Sequence, residues 1–313
     1  TKGDAFLETD THWQPGAMQA VAAGLADYIK ENLTVFPQKL SLQLQPKTVV
    51  ADGDIALMVT LPEQTSLYRR QRVTVQQVVT EDNVFWQPDH NSEILLLGDS
   101  FTNIYSLKGL GWGFGAGFGE HLSYALQYPL DLLARNDAGA YGTREMLATE
   151  FGRGRDRLSG KHLVIWQFAE RELALGDWKV IQLTLGEVAE SVFFVAEPGK
   201  QLLVNGVVKA ISRSPRPGSV PYRDNLVTLH MVDLQSESGA LEHDQALVYG
   251  WGMQDNKLSD LSGVRPGDNL SLQLSSWDEV EGEYGSYRRT PLDDEMLELE
   301  LPNWGRVIDE EIK

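Results

Sequence analysis

Two short motifs in the 313-residue chain hold the residue types that acyl transfer needs. The apolar run Ile94-Leu95-Leu96-Leu97 is followed by Gly98-Asp99-Ser100. Such a run reads as a strand buried on both faces. A serine at its carboxyl end stands on a rigid scaffold, beside backbone N–H groups able to stabilise an oxyanion. A serine hydroxyl is a poor nucleophile without a base. Among the six histidines, His12 stands out because it follows Asp10 by two residues in a polar loop, Thr9-Asp10-Thr11-His12-Trp13. That spacing lets the Asp10 carboxylate reach Nδ1 of the imidazole and leaves Nε2 to face a serine. Each motif also has a plain structural reading. Gly-Asp-Ser is a common turn at a strand end, and Asp10 has the type that caps a helix beside an exposed His12.

The elements that must position these residues follow from the apolar periodicity. Residues 17–32 read as an amphipathic helix with Met18, Val21, Leu25, Tyr28 and Ile29 on one stripe. Residues 47–80 are polar with short β-rich runs and read as peripheral hairpins or a lid. From residue 93 the pattern becomes strand 94–97, helix 118–127, strand 129–133, helix 143–151 and strand 162–166. That alternation predicts an α/β fold with a parallel sheet and flanking helices, with the site at the carboxyl ends of the strands. Beyond residue 195 short β runs at 201–208, 226–232, 246–249 and 270–274 are separated by Pro/Gly turns. Two domains are therefore expected: a catalytic domain over residues 1–195 and an all-β module, a small barrel or sandwich, over 196–313.

Composition narrows the function. A net charge of -18 repels phosphates and argues against nucleic acid as a partner. With no cysteine, disulfides, thiolate metal sites and a cysteine nucleophile are excluded. No metal site and no cofactor are expected. The acidic run Asp293-Asp294-Glu295 reads as a solvated turn, and the Gly-rich stretch 109–119 lacks the Lys-Ser/Thr ending of a phosphate-binding loop. No run reaches the roughly 18 to 20 apolar residues of a membrane helix. The first ten residues lack a signal-peptide pattern. The chain as given is expected to be soluble, and a removed leader or anchor would leave no trace in it.

Four blocks in order, Thr-Asp-Thr-His-Trp from residue 9, Gly-Asp-Ser-Phe from 98, Asn-Asp-Ala-Gly-Ala-Tyr-Gly-Thr-Arg-Glu from 136 and Val-Ile-Trp-Gln-Phe-Ala-Glu-Arg-Glu-Leu from 164, resemble the AlgJ/AlgX-type alginate O-acetyltransferases. The resemblance spans residues 9 to about 182 and implies an SGNH-hydrolase-like domain, with the Asp-His element placed before the serine rather than after it. It implies Ser100 as nucleophile, His12 as its base and Asp10 as the residue that orients His12. By the same likeness Asn136 and Gly139 fall where an oxyanion donor is placed. Tyr141 and Arg144 belong near the acetyl group or the sugar, and Trp13 joins them as a candidate substrate-binding residue. Glu170, Arg171 and Glu172 stand where ordinary SGNH hydrolases place an Asn. The resemblance further implies a periplasmic or exported protein, anchored in a membrane if a segment ahead of Thr1 does so. Its partners would be a polysaccharide acceptor and a membrane-bound O-acyltransferase that supplies the acetyl group.

The expected function is thus polysaccharide O-acetyl transfer through an acetyl-serine, on alginate or another exopolysaccharide. Two alternatives stay open: a carbohydrate acetyl esterase, and a non-catalytic polysaccharide-binding protein in which Trp251 and Trp277 stack on sugars rather than fill a barrel core. A polyanionic acceptor would need a local basic groove. Arg213, Arg216 and Arg223, or Arg153, Arg155 and Arg157, are the candidate clusters, each also readable as ordinary surface. Trp112 reads as a core residue or as part of the pocket mouth.

Overall fold

Pro15, whose missing N–H costs nothing at the first helical position, starts α1 (Pro15–Asn32). The computed structural model describes residues 5–33, 40–58, 68–136, 139–187, 192–220, 222–236, 239–294 and 296–308. The buried stripe of α1 is Met18, Ala22, Ala26 and Ile29. Val21 and Tyr28, expected on that stripe, are exposed. The difference has a steric reason. Alanine at successive i, i+4 positions lets α1 approach α4 closely, and both helices join one core with Leu96, Leu122 and Leu130.

The segment expected as peripheral hairpins or a lid does form an antiparallel strand pair, but one built into that core rather than peripheral to it. β1 (Leu42–Ala51) and β2 (Gln71–Thr80) pair antiparallel along their whole lengths. Val73, Val75 and Val78 of β2 are buried in the core. The run read as β-rich around residue 56 is a short helix, α2 (Asp54–Met58), which Asp54 opens by accepting a hydrogen bond from the Ile55 N–H (2.7 Å). Val59, at the end of that run, lies outside the described residues.

β3 (Ile94–Gly98) is buried throughout, because both of its edges and both of its faces are covered. It lies between β4 (Asp131–Ala134) and β5 (Leu163–Trp166), each parallel to it, giving the order β4-β3-β5. The next helices after α2 in the chain are α3 (Ser100–Asn103), α4 (Phe118–Leu126), α5 (Gly142–Gly152) and α6 (Glu172–Leu175), of which α5 belongs mostly to the second of two units. The chain divides into two compact units, Thr1–Arg144 with Leu158–Lys179, and Glu145–Arg157 with Val180–Lys313. The first unit holds the sheet.

The second unit is β-rich: β6 (Leu202–Ile211), β7 (Asn225–Ser236), β8 (Ala246–Gln254), β9 (Lys257–Leu258), β10 (Asn269–Ser276), β11 (Arg289–Thr290) and β12 (Pro302–Val307). The pairings β7–β6, β6–β10, β10–β12, β12–β8 and β8–β7 run in a ring. The sheet therefore closes into a barrel, whose core contains Val204, Val227, Leu229, Met231, Val248 and Leu272. Trp277 is 6% exposed, and Trp251 packs edge-on against Tyr284 (5.2 Å), Tyr287 (5.2 Å) and Trp304 (5.8 Å). Both tryptophans thus take the core role.

The expected arginine clusters fare differently. Arg153 donates to Glu150 (3.0 Å) and the Tyr249 hydroxyl (3.0 Å), Arg155 to Asp278 (3.1 Å), and Arg157 lies 3.8 Å from Glu150 and Glu281. These arginines are internally compensated and form no open cationic groove. Arg223 is paired with Asp255, while Arg213 and Arg216 are exposed.

His121 on α4 is buried, and its Nε2–H donates to the Gln76 carbonyl (2.9 Å). Burial disfavours the imidazolium and pulls the ring down from 6.5 to about 4. The unfolded chain therefore takes up a proton near pH 6.5 that the folded chain accepts only near 4. Stability that is present above pH 6.5 is lost as pH falls towards 4, by on the order of 3 kcal/mol. Urea titrations of the wild type should show this loss, and His121→Gln should flatten the curve across that window.

Candidate active site

The loop that carries Asp10 and His12 is held by its own backbone. Leu7 N–H donates to the His12 carbonyl (2.9 Å), and Gln14 N–H to Ala5 (2.8 Å). Trp13 ties the loop to α3: its Nε1–H donates to the Phe101 carbonyl (3.0 Å), and its carbonyl accepts from the Tyr105 hydroxyl (2.7 Å). The Phe101 ring lies 4.8 Å from the His12 ring, centre to centre. Trp13 thus braces the two motifs against each other.

Ser100 is the first residue of α3, directly after β3, and is 9% exposed. Asp99 is the cap. Its Oδ1 accepts from Phe101 N–H (2.8 Å) and its Oδ2 from Ala169 N–H (2.8 Å). Gln167, just past β5, accepts from Asp99 N–H (3.1 Å) and the Thr102 hydroxyl (2.6 Å). The end of one strand therefore fixes the turn at the end of its neighbour.

Three side chains that sequence reasoning singled out meet here. Ser100 Oγ lies 2.8 Å from His12 Nε2, and His12 Nδ1 lies 2.5 Å from Asp10 Oδ1. A carboxylate only accepts, which assigns the proton to Nδ1 and leaves Nε2 to accept from Ser100. All three residues are buried. Burial alone would raise the Asp10 pKa. The hydrogen bond and charge of His12, the Trp112 N–H and the Asp54 backbone N–H outweigh it, and together they hold the carboxyl below its ordinary value. Burial and the Asp10 charge push the Tyr105 phenol well above its usual range.

The remaining expected site residues sit at the carboxyl ends of β4 and β5. Asn136, just past β4, accepts from the side chain of Asn103 on α3 (2.8 Å). Gly139 has φ +51°, and a Cβ there would lie 2.1 Å from Glu172 Oε2, which accepts from Ala140 N–H (3.0 Å). Glycine is therefore required where Glu172 closes over this turn. Tyr141 lies under the Lys179 ammonium, 4.1 Å from ring centre to nitrogen. Arg144 donates to the Lys179 carbonyl (3.1 Å) and stacks over Trp166 (5.0 Å), while its Nε and Nη2 are buried with no hydrogen-bond partner.

Sequence reasoning missed two participants. Trp112, fully buried, donates from Nε1 to Asp10 Oδ2 (2.7 Å). Asp54 donates its backbone N–H to the same oxygen (3.0 Å), and its carboxylate accepts from Thr11 N–H (2.9 Å) and the Thr11 hydroxyl (2.6 Å). The only local signal was the Gly-rich setting of Trp112, which also suits a core residue. Asp10, His12 and Asp54 bring one ligand atom each within 4.8 Å of one another, as a metal site would. In this structure the facing atoms of Asp10 and His12 are bonded to each other.

Among the described residues, a three-stranded parallel sheet thus carries a strand-end serine, an imidazole and a carboxylate in one hydrogen-bonded chain. The family model for the SGNH hydrolase-like domain of acetyltransferase AlgX matches residues 1–170, and the chain belongs to this family. Among solved structures it is similar to the O-acetyltransferase domain of Pseudomonas putida AlgJ at 21% identity and a TM-score of 0.44, over 56% of this chain and 57% of that one. It is also similar to Pseudomonas aeruginosa AlgX at 14% identity and a TM-score of 0.40, over 90% of this chain and 67% of that one. The chain thus spans little more than half the length of the AlgJ domain. No curated protein sequence matches. Among the described residues, no helix is long and apolar enough to cross a membrane.

The Asp10 carboxylate stabilises the fold above its ordinary pKa of 3.8, and this contribution is lost as pH falls through its lowered folded value. Asp10→Asn should therefore unfold at lower urea than wild type at pH 7. The gap should close on acidification below about pH 4, because only the wild type then loses an ionised, fully bonded carboxylate.

Proposed function

We propose that the chain is a polysaccharide O-acetyltransferase that works through an acetyl-Ser100 intermediate. The observation that carries this reading is the continuous hydrogen-bonded path from Ser100 Oγ through His12 to Asp10, at 2.8 Å and 2.5 Å. Membership of an acetyltransferase family supports the group transferred.

In this reading Ser100 Oγ attacks the carbonyl carbon of an acetyl donor while His12 Nε2 takes its proton. The tetrahedral intermediate collapses as the imidazolium returns that proton to the leaving group, which leaves acetyl-Ser100. A sugar hydroxyl then gives its proton to Nε2 and attacks the acetyl carbon. Collapse of the second intermediate returns the proton to Ser100 and releases the acetylated sugar. Asp10, ionised at neutral pH, stabilises the imidazolium that forms twice. The Ser100 N–H, with Gly139 and Asn136 beyond β4, is the proposed source of oxyanion donors, each typically worth about 3 to 4 kcal/mol. The unpartnered Nε and Nη2 of Arg144 suit an acceptor oxygen, since a buried donor left unpaired is costly. Tyr141 lies three residues from Arg144 and is assigned to the same acceptor side.

The acceptor is assigned to an exopolysaccharide, alginate or a relative of it, and the site of action to the periplasm or cell exterior. The acetyl donor would be charged by a membrane-bound O-acyltransferase. Nucleic acid is not among the partners in this reading, given the net charge of -18.

Incubation with an activated acetyl ester should place one acetyl group on Ser100, read by peptide mass spectrometry, and short oligosaccharides should discharge it with acetyl appearing on the sugar. Ser100→Ala should abolish the adduct, and His12→Ala should slow its formation by about 10⁴-fold or more. Discharge to water alone would make the protein an esterase, and no adduct with any ester would leave a polysaccharide-binding role.

A further inference from the structure

We infer that Trp112 and Asp54 act together as a positioning clamp on Asp10, so that the serine site works as a triad held by a fixed outer pair. The inference rests on the proposed acyl-transfer reading and adds two residues to it.

The geometry is specific to Asp10. A carboxylate has four acceptor directions in its plane. His12 uses both on Oδ1, through its backbone N–H (3.1 Å) and its ring Nδ1 (2.5 Å). Trp112 Nε1 (2.7 Å) and Asp54 N (3.0 Å) take the two on Oδ2. If Oδ2 were free, the group could turn about its Cβ–Cγ bond and exchange the oxygen that faces Nδ1. With both oxygens engaged, rotation would break all four bonds of a buried carboxylate rather than two.

The clamp reaches the chain on both sides of Asp10. Asp54 holds Thr11 through its backbone and its hydroxyl, and the Thr9 carbonyl accepts from Ala56 N–H (3.3 Å). The junction of β1 and α2 lies so close that a Cβ on Gly53 would stand 1.9 Å from the Thr9 carbonyl oxygen. Trp112 is 0% exposed and cannot withdraw to another rotamer without opening the core. The β1–α2 junction and the Gly-rich segment thus converge on one carboxylate from outside the sheet.

Neither residue touches the reacting atoms, so both act through Asp10. The test is a double-mutant cycle read by single-turnover acetylation of Ser100 with an activated ester. Trp112→Phe should slow acetylation by about 10²-fold with little change in the ester concentration at half-maximal rate. In an Asp10→Ala background the same change should have no further effect, because the carboxylate it positions is gone. Asp54→Ala keeps the backbone N–H that binds Asp10 and removes only the carboxylate's bonds to Thr11, so it should slow acetylation less than Trp112→Phe, again only while Asp10 is present, and it serves if Trp112→Phe does not fold. The low-field proton resonance of the His12 Nδ1–H···Asp10 bond gives a second readout, independent of turnover, and should shift or broaden in both variants. Equal slowing in the wild-type and Asp10→Ala backgrounds, or an unchanged resonance, would overturn the clamp. Failure of the acyl-transfer reading would look different: no acetylation in any protein, with the resonance still responding to Trp112→Phe.

Discussion

The buried carboxylate of Asp10 sets the terms for the first unit. An ionised group shut away from water is tolerated only when its oxygens are fully engaged. Here four hydrogen bonds from His12, Trp112 and Asp54 meet that demand. The donors come from three separate stretches of chain. The demand of one side chain therefore dictates where the β1–α2 junction and the Gly-rich segment must lie. In return the carboxylate stays charged, and a charged Asp10 is what fixes the His12 tautomer so that Nε2 faces Ser100.

The serine side of the site depends on the sheet. β3 is flanked by parallel neighbours, and the turn at its end is stitched to the end of β5 through Gln167 and Ala169. Trp13 and Tyr105 then bridge α3 to the histidine loop. Two segments about 90 residues apart are thereby brought to one hydrogen-bond length. Such preorganisation is what an acyl-transfer site requires, since charge must be stabilised as it develops rather than after groups rearrange.

Much of this was legible in the sequence where the cause was local. The continuous apolar run at 94–97 marked a central strand, and Asp10-x-His12 in a polar loop marked a carboxylate able to reach an imidazole. The features missed have partners far away in sequence. Trp112 lies 102 residues from Asp10, and nothing near it distinguishes an indole N–H that meets a carboxylate from one in a plain core. Arg153, Arg155 and Arg157 looked like a basic patch because Asp278, Glu281 and Tyr249 are distant in the chain. The buried stripe of α1 runs through Ala22 and Ala26, and small residues carry too little apolar signal in the sequence to mark a core face. Whether the second unit was a barrel or a sandwich turned on the β7–β8 pairing, which closes the ring and which no local pattern encodes.

The central claim is that His12 and Asp10 activate Ser100 in the resting protein. The most direct measurement is the rate at which a fluorophosphonate phosphonylates the protein, with the modified residue mapped by peptide mass spectrometry. The account predicts one phosphonyl group, on Ser100 alone, formed at a rate that collapses in His12→Ala. Labelling spread over several serines, or labelling of Ser100 at the same rate in His12→Ala, would contradict it.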